Sequence, residues 1–217
     1  MPTSPNITRI VLTGGPCAGK TTILARVKDH FTELGYHVYI VPEAATFVIN
    51  TGFIPASFPG DHIYELQDAI LEITLALYRQ TERLVQQLGQ YPALIVYDRG
   101  SLDAKAYCTA AAWARVLQTR GVSEAELRDA PYHGIIHLVT AADGAPEHYS
   151  TSNNSARLET LEQAKTIDLR LRNAWSGHPQ FKIVDNSKPF EDKISRTIEL
   201  INTLLLPKSR SQLQQHG

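Results

Sequence analysis

Short apolar runs alternate along the chain with longer segments whose apolar residues recur every three or four positions. The first pattern is typical of buried strands, and the second is typical of helices that pack one face against a sheet. Alternation of the two predicts a parallel sheet whose strands are connected by crossover helices. The predicted strands are residues 9–13, 37–41, 93–97, 134–139 and 181–184.

The segments between and after these strands predict helices. The longest, at about residues 62–88, carries Ile63, Leu66, Ile70 and Ile73 at helical spacing along one face. The other predicted helices are residues 19–34, 102–118 and 158–175, and a last helix that opens at Pro189.

Together these elements predict a single α/β domain. Its expected fold is a nucleotide-kinase-like P-loop NTPase, a three-layer sandwich around a five-stranded parallel sheet. The domain is expected to cover residues 9–206 and to include a helical lid at about residues 141–176. Residues 1–8 and 207–217 are polar and are expected to be flexible ends.

A phosphate-binding loop is predicted at residues 14–21, which read GGPCAGKT and match the pattern G-x-x-x-x-G-K-[ST] between a strand and a helix. Glycines in such a loop let backbone N–H groups surround phosphate oxygens, and the following helix adds its positive end. Lys20 is expected to reach the β- and γ-phosphates, and the Thr21 hydroxyl is expected to bind Mg²⁺. Cys17 is interpreted as a small residue that positions the backbone rather than as a redox switch. The predicted nucleotide-binding residues are Gly14, Gly15, Pro16, Cys17, Ala18, Gly19, Lys20, Thr21 and Thr22.

Asp98 ends the third predicted strand in the manner of a Walker B acid, so Thr21 and Asp98 are the predicted metal ligands. The alternative for Asp98 is a strand-end residue that caps the next helix. Arg99 follows directly, where an ATPase that activates water usually carries Glu. Its planar guanidinium pairs with oxyanions, so Arg99 is expected to hold an acceptor substrate or its phosphate, with a structural ion pair as the alternative.

Two further acids are candidates for contact with an acceptor. Glu43 follows the second predicted strand, and strand ends of a parallel sheet meet at one crevice. Glu43 is therefore expected to take a proton from an acceptor hydroxyl or to orient it, with a helix N-terminal acid favoured by the macrodipole as the alternative. Asp103, one turn beyond Arg99, is predicted to contact the acceptor, with equal weight on a structural role.

The lid and the base pocket are predicted from the chain after the fourth strand. Nucleotide kinases need arginines there that close over the transferred phosphoryl group. Arg157 is the first candidate, and Arg170 and Arg172 follow, with a solvated helix face as the alternative for these two. Asn186 follows the fifth strand and is predicted to hydrogen-bond the nucleotide base, or else to serve as a turn residue.

Composition and charge limit the binding partners and the cellular location that are expected for the protein. The chain has 217 residues, 20% of them charged, and a formal net charge of −1. This balance indicates no basic surface for nucleic acid or for an anionic membrane, so neither partner is expected. Two cysteines are too few for a disulfide framework, and no apolar run approaches the ~20 residues that cross a bilayer, so a cytoplasmic location is expected. The eight histidines lack the paired spacing of a metal site.

Several motifs together resemble one known family. They are GGPCAGKT from Gly14, PEAAT from Pro42, YDRG from Tyr97, HLVTAADGA from His137 and WSGHP from Trp175. The family is the AAA-domain ATPase-like P-loop family that includes the TRPL translocation defect proteins, with the ribosylnicotinamide kinase domain as a distant relative. The Asp-Arg pair in YDRG is also similar to that of deoxynucleoside and thymidylate kinases. The resemblance implies a nucleotide-kinase-like fold that binds ATP or GTP, with Arg157 at the matched lid position.

Two functions fit these observations. The first is a Mg²⁺-dependent small-molecule kinase that transfers the γ-phosphoryl group of ATP to a nucleoside-like or vitamin-like hydroxyl. A homodimer is an open option for its assembly. Its expected catalytic residues are Lys20, Glu43, Asp98 and Arg157. The alternative is an ATP- or GTP-hydrolysing switch or binding module that acts through a protein partner. Against the switch, the sequence has neither an Asn-Lys-x-Asp guanine motif nor an Asp-x-x-Gly segment after the third strand.

Overall fold

The computed structural model describes residues 6–129, 132–149 and 160–205. Its strands are β1 (Ile7–Gly14), β2 (His37–Val41), β3 (Ala93–Asp98), β4 (Gly134–Leu138) and β5 (Phe181–Val184). Its α-helices are α1 (Lys20–Glu33), α2 (Ala44–Asn50), α3 (Ile63–Leu88), α4 (Ala110–Arg120), α5 (Glu124–Arg128), α6 (Leu161–Trp175) and α7 (Phe190–Leu204). Short 3-10 turns cover Pro55–Ser57, Gly60–His62, Asp103–Tyr107 and Pro146–His148.

The strands form one parallel sheet in the order β2-β3-β1-β4-β5. Successive side chains of a strand point to opposite faces, and both faces of this sheet are covered by helices. On one face Val11 packs into a core with Trp175 of α6, and on the other Leu12 packs into a core with Phe31 of α1. The predicted three-layer sandwich with a five-stranded parallel sheet is confirmed.

The observed elements differ from the predicted ones at a few places. β1 begins at Ile7, so Thr8, predicted within a flexible end, is a fully buried residue of a strand. The predicted helix at residues 102–118 is instead a 3-10 turn followed by α4, because the Thr109 hydroxyl accepts the Ala112 N–H and starts a new helix. α2 and α5, of seven and five residues, are too short to show a helical period in the sequence.

The position of β1 in the sheet places the functional site. β1 is the central strand and is flanked by β3 and β4, so the chain leaves the sheet in opposite directions on the two sides of β1. Ligands of open parallel sheets bind beyond the C-terminal strand ends at such a point. Within the described ranges, no helix is both long enough and apolar enough to span a lipid bilayer.

Candidate active site

The phosphate loop joins β1 to α1 at the C-terminal edge of the sheet. Gly14 approaches β4 so closely that a Cβ there would lie 2.3 Å from the carbonyl oxygen of Leu138. Gly19 has a φ of +85°, and a Cβ there would lie 2.5 Å from the ring of Phe190. Cys17 also has a positive φ, 55°. The loop therefore contains the close approach and the left-handed turn that its glycines predict.

Lys20, Thr21 and Thr22 begin α1 and line a groove of about 1160 Å³, the phosphate groove. Nζ of Lys20 lies 3.4 Å from the carbonyl oxygen of Gly14. Burial lowers the pKa of Lys20, and the charge of Arg99 adds to the lowering, while the nearby carboxylates oppose it. An anion bound in the groove would stabilise this desolvated ammonium group.

Asp98 is the last residue of β3 and also lines the phosphate groove. Its Oδ1 is buried and has no hydrogen-bond partner among the residues that the structure describes. Burial raises the pKa of Asp98, and the charge of Lys20 offsets this only in part. A buried carboxylate oxygen without a donor would be stabilised by a cation, so this atom fits the predicted role in metal binding.

Asp98 alone cannot hold such a cation, so other oxygen atoms would complete its coordination. In the described parts of the chain, no three or more His, Cys, Asp or Glu side chains are placed to hold a metal ion together. Thr21 contributes a hydroxyl at the start of α1. The donor set fits a Mg²⁺ ion that also takes oxygen atoms from bound phosphates, since this ion is commonly held by one or two protein ligands plus phosphate and water.

Glu43 and Arg99 form an ion pair where the phosphate groove meets the ends of β2 and β3. Nε of Arg99 donates to Oε1 of Glu43, and Nη1 donates to the carbonyl oxygen of Gly14 over 3.2 Å. Glu43 directly precedes α2, which is the position that its alternative role as a helix N-terminal acid requires. Its carboxylate, however, binds Arg99 and the Thr46 hydroxyl. Burial alone would raise the pKa of Glu43. The charges of Arg99 and Lys20, with hydrogen bonds from Arg99 and Thr46, outweigh burial and lower the pKa to about 2.

Asp103 lies behind this pair and is only 3% exposed. Oδ2 accepts from the Thr13 hydroxyl over 2.7 Å and from Nη1 of Arg99 over 3.3 Å. Oδ1 accepts from Nε1 of Trp175 over 2.7 Å. Since both oxygens already bind protein donors, the geometry favours the structural role for Asp103 over the predicted contact with an acceptor.

A second cavity, of about 340 Å³, lies between α2, α3 and the ends of β2 and β3, and we name it the α3 cavity. One wall is apolar and comes from Ile63, Leu66, Ile70 and Leu71 of α3. The polar end consists of residues that also line the phosphate groove, so the two cavities meet there. The shared residues are Lys20, Pro42, Glu43, Thr46 and Asp98.

Gln67 is a site residue that the sequence interpretation missed. It lies on α3 within the apolar wall of the α3 cavity and is 6% exposed. No hydrogen bond joins its side-chain amide to another residue of the described ranges. An amide that lines a cavity and has no protein partner is free to bind water or a ligand there. The signal was present in the sequence, since Gln67 is a polar residue at helical spacing from Ile63 and Ile70.

The predicted lid arginines have different surroundings. Arg157 lies outside the described residues, so its catalytic role stays a prediction. Arg170 is exposed on α6. Arg172 donates from Nε to Oδ2 of Asp168 over 2.8 Å and also approaches Asp143, at 3.3 Å. Arg172 is therefore part of a structural ion pair in this state.

Asp168, which the sequence interpretation also missed, anchors the phosphate loop to α6. It is 1% exposed, and its Oδ1 accepts the N–H of Gly15 over 3.0 Å and that of Thr140 over 2.9 Å. Nε2 of the fully buried His137 lies 3.1 Å from the same oxygen. Burial would raise the pKa of Asp168, but these hydrogen bonds and the charge of Arg172 lower it. No sequence motif links positions 15 and 168, so only the fold could show this contact.

Asn186 lies beside the phosphate groove, but its side chain is bound to the protein. Nδ2 donates to the carbonyl oxygens of Thr140, over 2.8 Å, and Asp143, over 2.6 Å. Oδ1 accepts from Nζ of Lys193 over 2.8 Å. The geometry favours the turn role for Asn186 over the predicted hydrogen bond to a nucleotide base.

Comparisons with known proteins agree with this architecture. A family model described as an AAA domain matches residues 9–193. Two structures of deoxyadenosine kinase from M. mycoides have a similar fold, one with the products dCMP and a flexible dCDP bound and one with dATP bound. Each is 15% identical with a TM-score of 0.62, and the match covers 90% of this chain and 100% or 99% of the kinase. No curated protein matches the sequence. At this identity the likeness shows the fold alone, and it confirms the predicted nucleotide-kinase-like P-loop fold.

Proposed function

The chain belongs to the AAA domain family of P-loop proteins, and we propose that it is a kinase that transfers the γ-phosphoryl group of ATP to a hydroxyl of a nucleoside-like acceptor. The observation that carries this proposal is the meeting of the two cavities at Lys20, Glu43 and Asp98. A phosphoryl transferase needs a donor site and an acceptor site that meet at the γ-phosphate. A nucleotide switch has no need of a second cavity at this place.

The donor half of the site is the phosphate groove. Backbone N–H groups of residues 14–21 would bind the phosphates, with Lys20 close to the β- and γ-phosphates. Thr21 and Oδ1 of Asp98 would hold a Mg²⁺ ion, whose charge offsets the negative charge of the phosphate oxygens. The Asn186 amide, which is bound to the protein, would not select between adenine and guanine, so GTP is proposed as a second donor.

The acceptor half of the site is the α3 cavity. A volume of about 340 Å³ suits a small ligand. The apolar wall of α3 would pack against a ring, and the unpaired amide of Gln67 would bind an edge of that ring that carries both a donor and an acceptor. Nucleobases have such an edge. The name of the M. mycoides structures, a deoxyadenosine kinase, supports a nucleoside as the acceptor.

The transfer step follows from the junction of the cavities. The acceptor hydroxyl oxygen would form a bond to the γ-phosphorus while the bond from that phosphorus to the β–γ bridging oxygen breaks and ADP leaves. Glu43 would accept a hydrogen bond from the hydroxyl, orient its oxygen and take its proton late in the step. A pKa of about 2 makes Glu43 a weak base in the free protein, which favours orientation as its main contribution. Arg99 would hold Glu43 in place, and Arg157 would act from the lid.

Ternary binding tests this proposal before any turnover is measured. The protein is heated with Mg²⁺ and a non-hydrolysable ATP analogue, alone and with each of a panel of nucleosides and other small hydroxyl compounds. The kinase proposal predicts a shift of the melting temperature with the analogue and a further shift with particular nucleosides. Lys20→Ala should lose the first shift, and Gln67→Leu should lose only the second. A shift with the analogue and none with any nucleoside would overturn the acceptor assignment and favour the switch.

A further inference from the structure

The backbone of Arg99 is held in an unusual conformation. Its φ is +76°, in the left-handed region that residues other than glycine rarely adopt. In this conformation its guanidinium reaches Glu43, Gly14 and Asp103. The next residue packs closely against α6, since a Cβ at Gly100 would lie 2.2 Å from the ring of Trp175. A change in the backbone conformation of Arg99 would therefore move its guanidinium away from these three partners.

The peptide groups on both sides of Arg99 are hydrogen-bonded. Its N–H donates to the carbonyl oxygen of Leu12 in β1 over 3.0 Å. Its own carbonyl oxygen accepts from the hydroxyl of Tyr78 in α3 over 2.5 Å. The first bond continues the pairing of β1 with β3, whereas the second comes from a helix on the wall of the α3 cavity.

The ring of Tyr78 is placed independently of its hydroxyl. The ring packs on Tyr97 with a centroid distance of 4.1 Å and meets Tyr132 edge-on at 6.3 Å. The hydroxyl of Tyr97 is directed elsewhere, whereas that of Tyr132 also interacts with the Tyr78 hydroxyl. The Tyr97 hydroxyl donates to Glu82 over 2.9 Å, and that of Tyr132 lies 3.1 Å from the Ser101 hydroxyl. Removal of a single hydroxyl from this cluster can therefore separate contact with Arg99 from packing.

We propose that Tyr78 is a positioning residue, whose hydroxyl keeps Arg99 in its left-handed conformation and thereby sets the Arg99–Glu43 pair at the junction of the two cavities. The conformational part of this proposal depends only on the contacts above. Its consequence for phosphoryl transfer rests on the proposed function. Tyr78 acts through Arg99, not by contact with the reacting atoms.

The conformational part is tested in the ligand-free protein with Tyr78→Phe and the matched control Tyr97→Phe. NMR follows the exchange of the Arg99 Nε–H with water, and the signal is assigned by its absence in Arg99→Lys. This proton is bound to Glu43 in the native state. Loss of one hydrogen bond should speed its exchange about tenfold in Tyr78→Phe, with less than a twofold change in Tyr97→Phe. Unchanged exchange in Tyr78→Phe, or equal changes in both variants, would overturn the proposal.

The catalytic part is tested with a nucleoside acceptor in a double-mutant cycle. Tyr78→Phe should lower kcat/KM for the acceptor about tenfold and leave KM for ATP within about twofold. The same change should add nothing in an Arg99→Ala background. An equal loss in that background would mean that Tyr78 contacts the acceptor itself, which overturns the positioning role. If the wild type phosphorylates no nucleoside, the proposed function fails, and the NMR exchange alone decides the role of Tyr78.

Discussion

Arg99, directly after β3, donates its Nε–H to the carboxylate of Glu43, which follows the neighbouring strand β2. The two side chains are 15% and 25% exposed, so the pair is largely shielded from water. Parallel pairing of β2 with β3 brings these residues together from positions 56 apart in the chain. The pair holds a charged carboxylate beside Lys20 and Asp98, at the opening of the α3 cavity into the phosphate groove.

Glu43→Gln should separate catalysis from nucleotide binding. The amide oxygen can still accept from Arg99, but it cannot take a proton or bind the acceptor hydroxyl as strongly. We expect kcat to fall about 100-fold, near the lower end for loss of a general base, with the affinity for ATP within about threefold. Glu147→Gln is a matched control, because it removes an exposed charge that lines the same groove away from the junction. Equal losses in both variants would contradict the role of Glu43.

The pH dependence follows from the direction of the Glu43 pKa shift. Because the folded protein lowers this pKa to about 2, Glu43 stays charged in the free protein far below the usual value of about 4.3 for glutamate. Its ionisation should therefore cause no loss of kcat/KM for the acceptor between pH 8 and pH 5. The profile is measured for the wild type and for Glu43→Gln. A loss of activity in this range that is present only in the wild type would show that Glu43 titrates there.

Gln67→Leu should affect the acceptor and leave the fold intact. The Gln67 amide makes no hydrogen bond within the described ranges, so removal of its polar group leaves no protein partner unpaired. The melting temperature of the free protein should stay the same or rise. The KM for a nucleoside acceptor should increase about tenfold or more, because a ligand group loses its partner, while the KM for ATP stays unchanged. A lower melting temperature with unchanged acceptor KM would mean that Gln67 is structural.

Asp168→Ala should destabilise the protein. The substitution removes the acceptor for four donors and leaves Arg172 with only the exposed Asp143. We expect a loss of about 3 kcal/mol, as for a broken buried ion pair, which corresponds to a fall in Tm of about 6–12 °C for a chain of this size. Glu162→Ala is the control, because it breaks an exposed ion pair with Lys165 that should contribute less than about 1 kcal/mol. A similar small change in both variants would contradict the anchoring role of Asp168.

The sequence predicted the sheet and the phosphate loop because both depend on local patterns. An apolar run indicates a strand that is buried on both faces of its sheet. The octapeptide at residues 14–21 carries, at fixed positions, the glycines that its turn needs. Glu43 and Arg99 were also found, since strand ends of a parallel sheet share one edge. The sequence analysis gave an ion pair only as the alternative role of Arg99 and named no partner for it. The structure contains this pair, with Glu43 as the partner.

The other site residues depend on contacts between distant segments. The carboxylate of Asp168 meets the N–H of Gly15 across 153 positions, and no local period encodes such a contact. The amide of Asn186 could not be known to bind Thr140 and Asp143 until the turn after β4 was placed. Gln67 did leave a signal, a polar residue within an apolar helix face, but without the cavity that signal had no chemical interpretation.

The most direct test of the central claim is the product of the reaction itself. Purified protein is incubated with Mg²⁺, ATP and each of a panel of nucleosides, and ADP and nucleoside monophosphate are quantified by mass spectrometry, with Lys20→Ala as the inactive control. The account predicts nucleoside monophosphate and ADP in equal amounts for at least one nucleoside, and neither product with Lys20→Ala. ADP that accumulates at the same rate with and without every nucleoside, with no monophosphate formed, would contradict it.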